Sequence, residues 1–112
     1  MPIPDAERAI VTREKVQDYL LNADHPEGGS KALWFVSLGY EQHDWQILAD
    51  DLLQIAKTCD RFDTERSKYG VKYKASGMIS RPHHRPGRVL TVWIVEDEDP
   101  PRLVTAFPDT SQ

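Results

Sequence analysis

The chain has 112 residues, of which 39% are hydrophobic and 29% charged, and its formal net charge is −4. This length and apolar content exclude two full domains and a disordered chain, and they predict a single globular domain over residues 1–112. The longest strongly apolar runs, 32–36 and 89–95, are far shorter than the roughly 20 residues that span a bilayer, which excludes a membrane helix.

Two short helices are predicted first. Thr12 can cap a helix over Arg13–Leu21, in which apolar residues recur three and four positions apart. A loop rich in Pro and Gly follows, and Ser30 then starts a helix over Lys31–Leu38. Gly39 suits the left-handed position that ends this second helix.

The longest helix is predicted after Asp44, which is a plausible N-cap. Its apolar positions fall three and four residues apart on one stripe: Trp45, Leu48, Leu52, Ile55 and Cys59. We expect that stripe to pack on the core. Cys59 is the single cysteine, which excludes an internal disulfide and a zinc site built on several thiolates.

After Asp60 the chain changes to short runs of Thr, Tyr, Val, Ile and Trp between turn residues. Four strands fit these runs: Arg61–Ser67, Val71–Ser80, Arg88–Glu96 and Arg102–Phe107. Connections this short force neighbouring strands to be antiparallel. The prediction is an α+β fold, with two or three amino-terminal helices (about 13–59) packed on a four-stranded antiparallel β-meander (about 61–107). The third strand is apolar on both sides and should be central, and the pattern leaves open which side faces the helices.

The charge is distributed unevenly along the chain. Residues 61–88 contain eight basic and two acidic side chains, a net +6, whereas the remainder carries −10. A segment of this kind can present a positive surface to a polyanion. We take Lys72, Arg81 and Arg88 as candidate RNA-backbone contacts, the alternative being a solvated hairpin face.

The loop around His25 is the first candidate site. A histidine beside Pro26 is followed by two glycines and by Lys31 at a helix start, an arrangement that suits phosphate. His25 can transfer protons near neutral pH, and Lys31 can neutralise developing charge. The alternative is a glycine-rich loop that caps an ordinary helix. The spacing matches neither a nucleotide-triphosphate loop nor a dinucleotide fingerprint.

The last strand supplies the second candidate group. A strand hydroxyl such as that of Thr105 can hold a nonbridging phosphate oxygen while Arg102 balances charge, although a strand threonine is more often only a good β former. The spacings of the four histidines match no metal-ligand pattern, so we expect neither a metal site nor a cofactor.

Several blocks of the chain are distinctive, at residues 19–35, 38–40, 69–73, 92–95 and 101–108. They resemble a functionally uncharacterised bacterial family of small stand-alone domains. The opening Leu-Asn-x-x-His-Pro-x-Gly-x-x-Lys-Ala block (21–32) and the closing Thr-Ala-aromatic-Pro block (105–108) are in turn similar to toxin domains of the barnase/EndoU/colicin/RelE ribonuclease superfamily. That resemblance implies helices packed on a four-stranded antiparallel sheet, RNA cleavage without metal, and a neutralising partner protein.

Carried over by position, the resemblance implies that His25, Lys31 and Thr105 lie at the site with Arg102 beside them. One hypothesis is a metal-independent ribonuclease of toxin type that cleaves RNA by 2′-hydroxyl transesterification. The other is a non-catalytic protein-interaction module of a small bacterial operon, and phosphate binding without cleavage lies between them. The amino terminus lacks the pattern of a secretory signal, so a cytoplasmic location is expected.

Overall fold

The computed structural model describes residues 1–27 and 29–110, and it places the helices before the strands. The α-helices are α1 (Arg13–Lys15), α2 (Gly29–Ser37) and α3 (Trp45–Thr58), and α1 continues into a π-helical turn (Val16–Leu20). Short 3₁₀ turns lie at Ala6–Arg8 and Gln42–Asp44. The strands are β1 (Asp63–Ser67), β2 (Gly70–Ile79), β3 (Gly87–Val95) and β4 (Arg102–Pro108). The predicted α+β fold is confirmed.

The first helical segment begins as predicted but ends in an irregular turn. Thr12 caps it, since its Oγ1 accepts a hydrogen bond from the Lys15 N–H at 3.2 Å. The segment Val16–Leu20 is wound more widely, and the Leu21 N–H donates to the Val16 carbonyl at 2.8 Å. A π turn of this kind is rare and frequently lies at a functional site.

The boundaries of the other helices follow local conformation. Gly39 has φ of 98°, the left-handed position predicted after the second helix. Asp44 occupies the predicted N-cap position of α3, but its side chain makes no capping hydrogen bond. Residues 42–44 already turn as a 3₁₀ helix, and the Asp44 carboxylate lies 3.3 Å from His43 Nε2 instead.

The sheet is an antiparallel meander with the strand order β1-β2-β3-β4, as predicted. The register resolves the two faces of β3. Val89 and Trp93 are fully buried in the core with the helices, whereas Val92 and Ile94 point to the opposite, outer face. The α3 stripe predicted from its periodicity also lies in this core, through Leu48, Leu52, Ile55 and others.

Strand β4 has two features that shape the edge of the sheet. Its register with β3 shifts between Val92 and Trp93, which leaves Val104 as an extra residue in a β-bulge. Ile10 bridges the other side of the strand, with its N–H on the Pro101 carbonyl at 2.8 Å and its carbonyl on the Leu103 N–H at 3.0 Å. The chain leading into α1 therefore runs along β4. Within the described residues, no helix has the length and apolarity to cross a membrane.

Candidate active site

A shallow cleft of about 580 Å³ lies where the first helical segment and the loop after it meet β4. Its lining combines residues from all three elements: Thr12, Glu14, Lys15, Tyr19, His25, Glu27, Val104 and Thr105. The structure thus brings two predicted site residues, His25 and Thr105, to one cleft. Lys31 joins them from the first turn of α2 through its contact with Thr105.

The polar centre of the site is formed by Lys31, Tyr19 and Thr105. Lys31 Nζ donates to the Tyr19 hydroxyl at 2.5 Å and to Thr105 Oγ1 at 3.2 Å, and the two hydroxyl oxygens are 3.5 Å apart. None of the ion pairs found among residues 1–27 and 29–110 includes Lys31. The Lys31 ammonium therefore donates to neutral hydroxyl oxygens. A phosphate oxygen can bind it in addition to these hydroxyls or in place of one of them.

The Tyr19 phenol lies in a cationic environment. The Nζ atoms of Lys31 and Lys15 are 4.9 and 5.3 Å from the centroid of its ring. Burial raises the pKa of Tyr19, but hydrogen bonds with Lys31 and Thr105 and the charges of both lysines act in the opposite direction and leave the pKa below its usual 10.0. The site therefore favours the phenolate more than water does.

His25 packs edge-on against Tyr19, with ring centroids 4.9 Å apart and an angle of 86° between the planes. Its Nδ1 accepts the backbone N–H of Glu27 at 3.0 Å. The neutral ring consequently carries its proton on Nε2, which makes that nitrogen a hydrogen-bond donor. The half-buried imidazole is thus fixed in orientation by its own loop.

The glycines of this loop were expected to let the backbone approach a ligand. Gly29 instead allows close packing of the chain on itself, because a Cβ there would lie 2.6 Å from the Ala23 carbonyl oxygen. Its N–H donates to the His25 carbonyl at 3.0 Å, which closes the loop. Gly28 lies outside the described residues.

Arg102 is not part of the cleft lining. Its Nη2 donates to Glu96 Oε1 at 2.6 Å, and both side chains are exposed to solvent. The residue pairs with Ile94 and so lies on the outer face of the sheet. An arginine engaged by a carboxylate must break that pair before it can contact a phosphate.

The three predicted RNA contacts do not share one surface. Lys72 and Arg88 lie on the outer face, on the positions that alternate with core residues of β2 and β3. Arg88 Nε is 3.1 Å from Asp109, whereas Lys72 takes part in none of the ion pairs of the described chain. Arg81 lies on the helical side, where its Cβ would be 3.0 Å from a Cβ placed on Gly39.

Two further features lie away from this cleft. A groove of about 1090 Å³ runs between α3, residues 58–63 and the second half of β2, and of the predicted site residues it includes only Arg88. An exposed cluster of Glu41, His43 and Asp44 brings possible metal-ligating atoms within 4.8 Å of one another in the described part of the chain. Surface ion pairs to His43 at 3.2 and 3.3 Å account for this cluster.

Tyr19 is the functional candidate that sequence reasoning missed. The periodicity places it with Val16 and Leu20 on the apolar face of a helix, and both of those neighbours are buried. The available signal was its position at the start of the first distinctive block, 12 residues before Lys31. The 12-residue spacing indicates a contact between Tyr19 and Lys31 only when the chain between them is known to fold back.

The fold and the cleft define an α+β domain with a polar cleft at the β4 edge of a four-stranded antiparallel sheet. Residues 2–110 match the family described as a domain of unknown function, DUF6883, and the chain belongs to that family. The comparison with curated proteins gives no match. Among solved structures, the chain is similar to a chain of the contact-dependent growth inhibition toxin–immunity protein complex from Klebsiella pneumoniae 342. The TM-score is 0.73 at 17% identity, over 89% of this chain and 99% of that chain, which shows a shared fold.

Proposed function

We propose that the protein is a toxin-type ribonuclease that cleaves RNA by attack of a 2′-hydroxyl on the adjacent phosphorus. The observation that carries the proposal is the Lys31 ammonium, which donates at 2.5 and 3.2 Å to the hydroxyls of Tyr19 and Thr105, two residues that line one cleft with His25. The similar fold of a chain in a growth-inhibition toxin–immunity complex supports the toxin-related part of the proposal.

The reaction needs groups that move protons and groups that stabilise charge. As the O2′–P bond forms and the P–O5′ bond breaks, negative charge accumulates on the nonbridging oxygens. The Lys31 ammonium offsets that charge, and the Thr105 hydroxyl orients one of these oxygens. His25 lines the same cleft and, as a neutral ring with its proton on Nε2, can donate to an oxygen or transfer a proton. No step in this scheme calls for a metal.

Substrate binding extends beyond the cleft in this proposal. Lys72 on the outer face has no carboxylate partner among the ion pairs of the described residues, so it can contact a neighbouring phosphate. Arg102 can join it only by exchanging Glu96 for phosphate. A neutralising partner protein that covers this cleft would follow from the toxin role, as the similar complex pairs a toxin with an immunity protein.

A non-catalytic interaction module remains the second candidate function. The outer face of the sheet favours it, because basic side chains such as Lys72 and Arg102 lie there over the buried Val92 and Ile94 and could contact an acidic partner. Under this alternative the cleft binds a phosphate or a partner side chain without reaction, and RNA incubated with the protein stays intact.

Cleavage of total RNA by the purified protein in the presence of EDTA separates the two functions. We expect wild type to produce fragments that end in 2′,3′-cyclic phosphate, and His25→Ala to lose at least about 100-fold in rate. His43→Ala is the matched control, because His43 is an exposed histidine outside the cleft. Intact RNA with wild type, or a His25→Ala variant as active as wild type, would overturn the ribonuclease proposal.

Expression in bacteria supplies an independent test of the toxin role. Wild type should arrest growth, His25→Ala should not, and co-expression of a neighbouring gene product should restore growth. Normal growth with wild type, together with a partner that co-purifies, would favour the interaction module.

A further inference from the structure

We propose that the Tyr19 phenolate oxygen is the base that takes the proton from the 2′-hydroxyl, with Lys31 as the group that stabilises it and resupplies protons. This inference rests on the proposed function. It assigns a catalytic role to a residue that neither the loop pattern nor the resemblance had singled out.

The geometry around the Tyr19 hydroxyl fits a general base. Its oxygen accepts the Lys31 ammonium at 2.5 Å, which stabilises negative charge on that oxygen, and Thr105 Oγ1 lies 3.5 Å away on the other side. Tyr19 is half-buried and lines the open cleft, so substrate can reach it. A base has to lie within hydrogen-bond distance of the proton that it takes, and the residue proposed to orient phosphate is already in contact with this oxygen.

His25 is poorly arranged for the same task. Glu27 donates its backbone N–H to Nδ1 at 3.0 Å, so the neutral imidazole has its lone pair engaged there and its proton on Nε2. In this state Nε2 is a hydrogen-bond donor and neither ring nitrogen has a lone pair available to accept a proton. To act as the base, His25 would have to give up the Glu27 hydrogen bond and change tautomer, whereas Tyr19 needs no rearrangement.

The proton and bond balance can be closed with these residues. The 2′-hydroxyl transfers its proton to the Tyr19 phenolate as its oxygen forms the bond to phosphorus. The P–O5′ bond breaks with its electron pair on O5′, and O5′ takes a proton from the Lys31 ammonium. Proton transfer from the Tyr19 hydroxyl to the Lys31 amine, along their existing hydrogen bond, then restores the starting pair. His25 donates from Nε2 to a nonbridging oxygen throughout.

The pH dependence of cleavage follows from the charges around Tyr19. Lys15 on its own helical segment and Lys31 from α2 favour the phenolate, while Glu14 and Glu27 line the same cleft and His25 packs on the ring. The rate of wild type should rise with pH until Tyr19 is ionised. In Lys15→Met this rise should begin at higher pH, because a positive charge 5.3 Å from the Tyr19 ring is gone while Lys31 remains to donate its proton.

The test compares full-length wild type, Tyr19→Phe and Tyr69→Phe on a short fluorescent RNA. Tyr69→Phe is the matched control, since it removes the same atom from a tyrosine that is 68% exposed in the β1–β2 hairpin. Tyr19→Phe should lose about 100- to 10,000-fold in cleavage rate while its affinity for a 2′-O-methyl version of the RNA stays within about threefold of wild type. Tyr69→Phe should match wild type in both.

Each outcome decides a different point. An inactive wild type would remove the proposed function and this inference with it. An active wild type together with a Tyr19→Phe variant that keeps its rate would overturn only the assignment of the base. If Tyr19→Phe fails to fold by circular dichroism, the Lys15→Met profile decides: a rise displaced to higher pH supports Tyr19, and an unmoved profile refutes it.

Discussion

Thr91 and Thr105 lie on adjacent strands, and valine replaces either with nearly the same shape but no hydroxyl. Thr91 is fully buried; its Oγ1 accepts the Trp93 indole N–H at 2.8 Å and donates to the Ala75 carbonyl at 2.7 Å. The Thr105 hydroxyl accepts Lys31 in the open cleft. We therefore expect Thr91→Val to reduce stability and Thr105→Val to reduce activity.

The two effects differ in size for a physical reason. Thr91→Val leaves the buried Trp93 N–H without an acceptor, which costs about 1–3 kcal/mol. For a chain of this length, that corresponds to a fall in Tm of about 4–12 °C. In Thr105→Val, Lys31 and Tyr19 still bond to each other and water reaches the cleft, so the loss of stability should stay below about 1 kcal/mol. Loss of one hydrogen bond to a phosphate oxygen should reduce cleavage about 10- to 100-fold.

Thermal and urea unfolding followed by circular dichroism measure the first quantity, and cleavage of RNA per folded molecule measures the second. A Trp93→Phe background isolates the cause, because it contains no indole N–H to leave unpaired. Thr91→Val should cost less there than in wild type. The reasoning fails if Thr91→Val costs as much in that background, or if Thr105→Val destabilises the protein as much as Thr91→Val does.

Two other substitutions test the electrostatics. Lys31→Met should raise the pKa of Tyr19, so that less phenolate absorbs in the near ultraviolet at a given alkaline pH. Lys68→Met, which removes a lysine from the exposed ring of Tyr69, is the control and should leave the titration of Tyr19 unchanged. An unshifted titration in Lys31→Met would contradict the arrangement at the site. Lys72→Gln should weaken RNA binding and reduce the slope of log K against log salt by about one, while Arg81→Gln, on the helical side, should do neither in the same binding assay.

The fold was predictable where one element faces one environment. The apolar stripe of α3 packs on the core along the helix, so the spacing of its apolar residues predicted that helix. Strand β3 lies between β2 and β4, so its apolar residues on both faces predicted a central strand. Strand β1 is exposed at every residue, and no hydrophobic pattern defines where it begins. The predicted start at Arg61 was two residues early, because Phe62 packs on Tyr73 before the ladder begins at Asp63.

The site was predictable only through residues whose chemistry is unusual for their position. A histidine and a lysine that flank a glycine pair attract attention in any sequence, and the closing block added Thr105 by resemblance. Contact between Lys31 and Thr105 joins residues 74 positions apart, which no local pattern can reveal. The ion pair that holds Arg102 on Glu96 depends on the turn between β3 and β4, and it too lies beyond periodicity.

The π-helical turn and β4, which lie beside the cleft, each deviate by one residue from regular geometry. Sequence periodicity therefore does not predict which way their side chains point. The π turn widens the helix at the position of Tyr19, and the bulge inserts Val104 before Thr105. In a regular strand, Arg102 and Thr105 would point to opposite faces. The extra residue places Thr105 opposite Val92, on the same face as Arg102 and out of the core that Leu103 and Ala106 occupy. Bulges and π turns cost regular hydrogen bonds, and here one of each lies on the two elements that bring the Tyr19 and Thr105 hydroxyls to 3.5 Å from each other.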